Sequence, residues 1–279
     1  MKTYRTLDVD NLTPNLGGEV VSSIDLAHLT RDQIDELRLA FRDRLVLVFR
    51  AQRLTRDQHK AFGRLFGDLH PHPAKTNLGL PGDPEIFDIR ITSKTRVANG
   101  EAWHSDLSCE PLPPIASALY ITQTPPSGGG DTLFANMHEA FETLSAPIRE
   151  WLGGLTAFHD GRKDLKAYGF ELRPEQTYPS ASHPVVVRHQ DTGRRLLFVN
   201  EPFTVRINEL TAHESEVVLA MLYRHIETST RIQCRVRWQP NTVVVWDNYA
   251  VQHHAVWDYY PESRTGERVT VRATVPPRA

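Results

Sequence analysis

The chain has 279 residues, of which 40% are hydrophobic and 24% charged, with a formal charge of −2. That is enough apolar material for a sizeable core, and a single domain over 1–279 is the simplest expectation. No long basic block stands out, which argues against nucleic acid or an anionic membrane surface as a partner. No stretch approaches the ~20 apolar residues that span a bilayer, the first residues lack the apolar run of an export signal, and the two cysteines, Cys109 and Cys234, read as reduced thiols. A cytoplasmic protein is expected.

In chain order, Thr30 can cap a helix reaching about Leu45, because Ile34, Leu37, Phe41 and Leu45 recur at helical spacing. The apolar run Leu45 to Phe49 reads as a buried strand. Thr55 can cap a second helix with Phe62, Leu65 and Phe66 inward, ending near Gly67. The stretch 68–103 is rich in Pro, Gly and polar residues, with one strand candidate at Glu85 to Ile91. Such a long irregular segment is expected to be an active-site lid or binding loop. Strands are expected at Ile115 to Thr122, Pro184 to Arg188 and Arg195 to Val199, and helices at His138 to Leu152 and Glu214 to Ile226. The last quarter alternates as strands do, at Ile232 to Trp238, Thr242 to Trp246 and Val269 to Val275. Strands separated by short turns, with a few helices set apart, suggest an antiparallel α+β protein built on a barrel or sandwich.

Thirteen histidines are present, so position has to select among them. In WHSDLS, His104 and Asp106 stand two apart, and on an extended strand positions i and i+2 share a face. An imidazole and a carboxylate could then converge on one ion. A third ligand could come from His253 or His254 in WDNYAVQHHAVWD. Two histidines and a carboxylate on one face of an octahedron suit non-haem Fe(II) oxygenases. Alone, a His-Xaa-Asp triplet is a common feature of polar loops.

The order of surrounding motifs is more specific. LVLVFRAQRLTRDQHKAFGRLFGDLHPHP, WHSDLS, PPSGGGDTLFANM, LFVNEPFTVRI, RVRWQPNTVVVWDNYAVQHHAVWDYYP and ERVTVRATV together resemble the taurine dioxygenase / 2,4-D dioxygenase (TauD/TfdA) family over nearly the whole chain. The resemblance implies a double-stranded β-helix, a jelly-roll core flanked by helices, and an Fe(II)- and 2-oxoglutarate-dependent dioxygenase that uses O2. It makes His104, Asp106 and His253 the catalytic and metal-binding residues, the last because it directly follows Gln252. It implies that Thr132 and Arg268 bind 2-oxoglutarate, with Arg264 as the alternative arginine. It also implies that Arg272 and His72 grip the substrate anion and that Phe203 is an apolar wall.

Arginine suits these tasks because its planar fork pairs a carboxylate bidentately, and Arg268 and Arg272, four apart on a strand, share a face. Two positions depart from the taurine dioxygenase pattern. Gly161 stands where an aromatic residue is expected, and Gly100, next to Asn99, where an amide is expected. A roomier pocket follows, taking a small anionic substrate such as a sulfonate, alkyl sulfate or carboxylate, in a homo-oligomer (dimer or tetramer). The competing readings are a non-catalytic jelly-roll small-molecule binding protein and a zinc hydrolase on the same three ligands. An intact triad with both arginines argues against each.

Overall fold

The computed structural model describes residues 4–279. Its largest sheet has seven strands in the order β1 (Val9–Asn11), β2 (Gly18–Val20), β3 (Val46–Phe49), β13 (Thr242–Asp247), β5 (Ala116–Gln123), β15 (Arg264–Val271) and β4 (Phe87–Ile91). All neighbours are antiparallel except β2 and β3. A second sheet orders β12 (Gln233–Val236), β6 (Thr132–Asn136) and β14 (Val251–Ala255). A third orders β11 (Thr204–Ile207), β7 (Thr156–Asp160) and β8 (Ser180–Pro184), and β9 (Val186–Arg188) pairs with β10 (Arg195–Leu197).

Alternation along the central strands explains the layering. Val46, Val48, Leu119, Ile121, Val244 and Trp246 of the large sheet share one buried cluster with Phe134, Cys234, Val236 and Val251 of the second sheet. Their neighbours Leu47, Phe49, Ala118, Tyr120, Val243 and Val245 point the other way, into a second cluster with Leu37, Ala40 and Phe62. Those last three come from α1 (Arg31–Arg44) and α2 (Arg56–Gly63). Strands covered on both faces need continuous apolar runs rather than alternating ones, which is why LVLVF and TVVVW read as they do. The result is the double-stranded β-helix, with helices laid on its outer face.

The helices start where capping chemistry allows. Thr30 and Thr55 each accept a hydrogen bond from the backbone N–H three residues on, while Gln33 and Gln58 reach back to the cap. Thr211 and Glu214 do the same for α7 (Ala212–Thr228). Three expectations shift. The helix over 138–152 is two helices, α4 (Met137–Glu142) and α5 (Ala146–Leu152), broken before Pro147, which sits in the first turn of α5. The stretch 68–103 is more ordered than its composition suggests: it holds the short helix α3 (Pro73–Thr76) and β4, which hydrogen-bonds along β15. The last long strand begins five residues earlier than Val269 and stops at Val271.

Candidate metal centre

The three metal candidates are brought together by backbone pairing. β6 and β14 place His253 opposite Phe134. His104 and His253 then form a single bridge outside the named strands, with N–H to O=C distances of 3.0 and 2.8 Å. Asp106 is not on an extended strand with His104, as the spacing suggested. It opens a turn through Cys109 in which Leu107 is left-handed, at φ 49°. Asn248 fixes that turn: its Oδ1 accepts the Asp106 N–H at 2.8 Å, and its Nδ2 donates to the carbonyls of Asp106 and Pro114. Bridge plus turn, rather than strand pleat, aims both side chains at one point.

Donor atoms of His104, Asp106 and His253 lie within 4.8 Å of one another, the one such His/Cys/Asp/Glu cluster found among the described residues. Asp106 Oδ1 is 3.7 Å from Nε2 of each histidine. Its Oδ2 accepts from the Ser117 hydroxyl at 2.7 Å. The His104 Nδ1 faces the Ala102 carbonyl at 2.8 Å, which puts the proton on Nδ1 and leaves the Nε2 lone pair toward Asp106. Burial pushes both imidazoles below their ordinary range, so they are neutral, as ligands must be. Burial opposes ionisation of Asp106, but the adjacent Arg268 guanidinium holds its carboxyl well below the usual range. His253 Nδ1 is buried without a partner. His254 faces the other side of β14, against Trp103 at 5.6 Å between ring centroids. A neutral, neutral and anionic donor set on one face fits a divalent transition metal of the Fe(II) kind.

The arginines fall into three settings. Arg264 is 5% exposed, and its guanidinium lies over the Trp238 ring at 5.2 Å. Trp238 Nε1 donates to Thr132 Oγ1 at 3.0 Å. Arg264 Nε and Nη2 are buried and unpaired. Thr132 lies two residues along β6 from Phe134, the partner of His253, so this corner is roughly 7 Å of strand from the metal ligands. A buried guanidinium with two unpaired nitrogens needs an anion, and a dicarboxylate reaching from the metal to Arg264 meets that need. The observation fits 2-oxoglutarate.

Arg268 sits elsewhere. Its Nη1 donates to Asp106 Oδ1, its plane covers Phe87 at 5.0 Å, and its Nε is buried and unpaired. His72 lies 4.7 Å from the same Phe87 ring. His72 Nδ1 accepts the Ala74 N–H at 3.1 Å, so the ring proton is on Nε2. Burial, then the charge of Arg268, lowers its pKa to about 3, and His72 is therefore a neutral donor.

Arg272, expected to point inward, is exposed. β15 has ended at Val271, and the Arg272 N–H bonds the Asp68 carbonyl instead. Parity had placed 264, 268 and 272 on one face and could not say where the sheet stops. Phe203 is buried, and its backbone bonds Asp160 N–H and Asn200 Oδ1. Asn200 donates to Ser108, tying Phe203 to the Asp106 turn.

Gly161 leaves no hole. A Cβ there would lie 2.4 Å from the Tyr178 ring and 2.9 Å from Cys109 Sγ, so Tyr178 fills the space of the absent aromatic residue, and the pocket is not roomier there. Tyr178 carries no sequence signal of its own, being a lone aromatic in a loop, and Trp238, expected as the end of a strand, lies just beyond β12, which stops at Val236.

Comparison with known proteins agrees with this geometry. The sequence model of the "Taurine catabolism dioxygenase TauD, TfdA family" matches residues 8–274. An "Alpha-ketoglutarate-dependent sulfonate dioxygenase" of Saccharomyces cerevisiae is 35% identical, aligned over 97% of this chain and 68% of its own. An "Alpha-ketoglutarate-dependent sulfate ester dioxygenase" of Pseudomonas putida is 30% identical over 97% and 91%. The crystal structure of a taurine dioxygenase from Burkholderia xenovorans superposes with a TM-score of 0.81 at 32% identity, covering 98% of this chain and 91% of that one. The chain belongs to the TauD/TfdA family and is an α-ketoglutarate-dependent dioxygenase.

Proposed function

We propose that the chain oxidises a C–H bond of a small organic sulfonate or sulfate ester while 2-oxoglutarate is converted to succinate and CO2. The observation that carries this reading is the second arginine. Arg268 stands beside a metal ligand with a buried, unpaired Nε, and its companion His72 is locked as a donor. Relatives named for sulfonates and sulfate esters support that class of anion.

In this reading His104, Asp106 and His253 hold Fe(II), which supplies the activation of O2 that side chains cannot. Arg264 takes the far carboxylate of 2-oxoglutarate bidentately, and Thr132, held by Trp238, completes that end. Arg268 and His72 hold the substrate anion, so the adjacent carbon faces the metal, and Phe203 and Phe87 supply apolar walls. The segment 68–103, which carries His72, Phe87 and Gly100, serves as the lid. Assigning 2-oxoglutarate to Arg264 and the substrate to Arg268 replaces the earlier pair, Arg268 and Arg272.

The test is substrate-stimulated succinate release with Fe(II) present, over matched alkyl sulfonates, alkyl sulfates and carboxylates of equal chain length. Stimulation by sulfonates or sulfates above carboxylates supports the reading. No stimulation by any of these anions, with 2-oxoglutarate still bound, overturns the assignment of Arg268 and His72 to a substrate anion.

A further inference from the structure

The substrate side of the pocket contains an acid that has no protein partner. Asp164 lies on α6 (Gly161–Ala167), half-buried, and makes no hydrogen bond or ion pair with any described residue. Its direction follows from the helix. Residues 161, 164, 165 and 168 occupy one face at helical spacing. The first of them, Gly161, abuts Cys109 and Tyr178. The last, Tyr168, accepts the Gly100 N–H at 2.9 Å with its hydroxyl, and Gly100 lies against His104. Both ends of this face therefore rest on the segment that carries the metal ligands, and Asp164 lies between them.

The charges agree with that placement. Burial, then the negative charge of Asp106, raises the Asp164 pKa to about 7, while Arg268 pulls it down. Of the three cations on its own helix, Arg162 holds Asp160 at 2.6 Å, Lys163 donates to the carbonyls of Glu201 and Thr204, and Lys166 is exposed to solvent. A half-buried carboxyl with no protein partner is left free to accept a hydrogen bond from a ligand.

We propose that Asp164 is a specificity residue: it accepts a hydrogen bond from an ammonium or hydroxyl group at the end of the substrate remote from the anion held by Arg268. The preferred substrate then carries an anion at one end and a proton donor at the other. This rests on the assignment of Arg268 to the substrate anion.

The experiment measures equilibrium binding, so it does not depend on turnover. Calorimetric titrations use the full chain with Mn(II) and 2-oxoglutarate. The ligands are 3-aminopropanesulfonate, 3-hydroxypropanesulfonate and their methyl-ended isostere, butane-1-sulfonate. At a pH above 7, where the Asp164 carboxyl is ionised, the native chain is expected to bind at least one donor-bearing sulfonate roughly tenfold or more tightly than the isostere, as a hydrogen bond to a charged acceptor implies. In Asp164→Leu that ratio collapses toward one or inverts, with 2-oxoglutarate affinity retained. Asp164→Asn, the same size, keeps a preference for the hydroxyl and loses that for the ammonium. A native preference for the isostere, or a ratio that Asp164→Leu leaves intact, overturns the role of Asp164 alone. Failure of all three sulfonates to bind the native chain overturns the Arg268 assignment as well.

Discussion

The two halves of the pocket are built by different means. The metal half is assembled by hydrogen-bonded backbone: β6 sets β14, β14 sets the bridge to His104, and Asn248 sets the turn that carries Asp106. The proposed substrate half joins Arg268 and Phe87, paired across the β15–β4 edge of the large sheet, to side chains from connecting segments: His72 before α3, Tyr178 from a loop and Asp164 from a short helix. Ladder-built geometry tolerates little change, whereas loop-built geometry is where relatives can diverge in substrate. This contrast predicts where mutations act and how strongly.

The largest effect is expected in the metal half. Asp106→Ala removes the one anionic donor and leaves two histidines. Loss of a residue that merely supports a ligand costs ~10–100-fold in metal affinity, so loss of the ligand itself should exceed about 100-fold, with succinate release abolished. Titration with Mn(II) reads the affinity directly. Near-native metal binding in this variant would falsify the triad.

Next comes the contrast between the two inward arginines. Arg264→Leu should weaken 2-oxoglutarate binding by about 30-fold or more, the lower end for removing one partner of a buried charge pair. The same variant should leave sulfonate affinity, measured with saturating 2-oxoglutarate, within a few-fold of native. Arg268→Ala should do the reverse, raising the KM for the sulfonate and letting 2-oxoglutarate decay without product. If Arg268→Ala impairs 2-oxoglutarate binding more than Arg264→Leu does, the two assignments must be exchanged.

A smaller, structural effect tests how the loop-built wall is packed. Gly161→Phe places a ring where Tyr178 and Cys109 already lie, at 2.4 and 2.9 Å from the new Cβ. Overpacking of that kind costs ~1–3 kcal/mol, measured as a lowered urea midpoint. Adding Tyr178→Gly should restore part of the loss, because the two side chains compete for one volume. A stable single variant would mean that the wall is loose and the pocket roomier after all.

How much of this was legible in the sequence follows the same division. The central strands announced themselves because burial on both faces demands unbroken apolar runs, as in Val46 to Phe49 and Val243 to Trp246. The helix starts were visible in Thr30 and Thr55, whose capping partners sit at fixed offsets. His104, Asp106 and His253 were readable as candidates, though the pleat argument for the first pair was replaced by a bridge and a turn. Strand parity is blind to where a strand ends, so it admitted Arg272 as readily as Arg264. Tyr178 was invisible because its role is to fill a space set by Gly161, seventeen positions earlier in the chain, and no local pattern encodes that pairing.

The smallest expected effect sharpens the comparison most, because it separates residues that the sequence treats alike. Arg264, Arg268 and Arg272 recur every four positions, yet only the first two have buried, unpaired guanidinium nitrogens. Arg272 is exposed, and its ordered contact is made by its backbone N–H to Asp68, which any residue but proline can supply. Arg272→Ala should therefore change stability by less than ~0.5 kcal/mol, as for most surface substitutions. Affinity for 2-oxoglutarate and for the sulfonate should stay at native values. Arg272→Pro, by contrast, removes the donor to Asp68 and should loosen the connection between β15 and the segment 68–103. Weaker binding in the alanine variant would mean that the end of β15 closes further over the pocket when ligand is present.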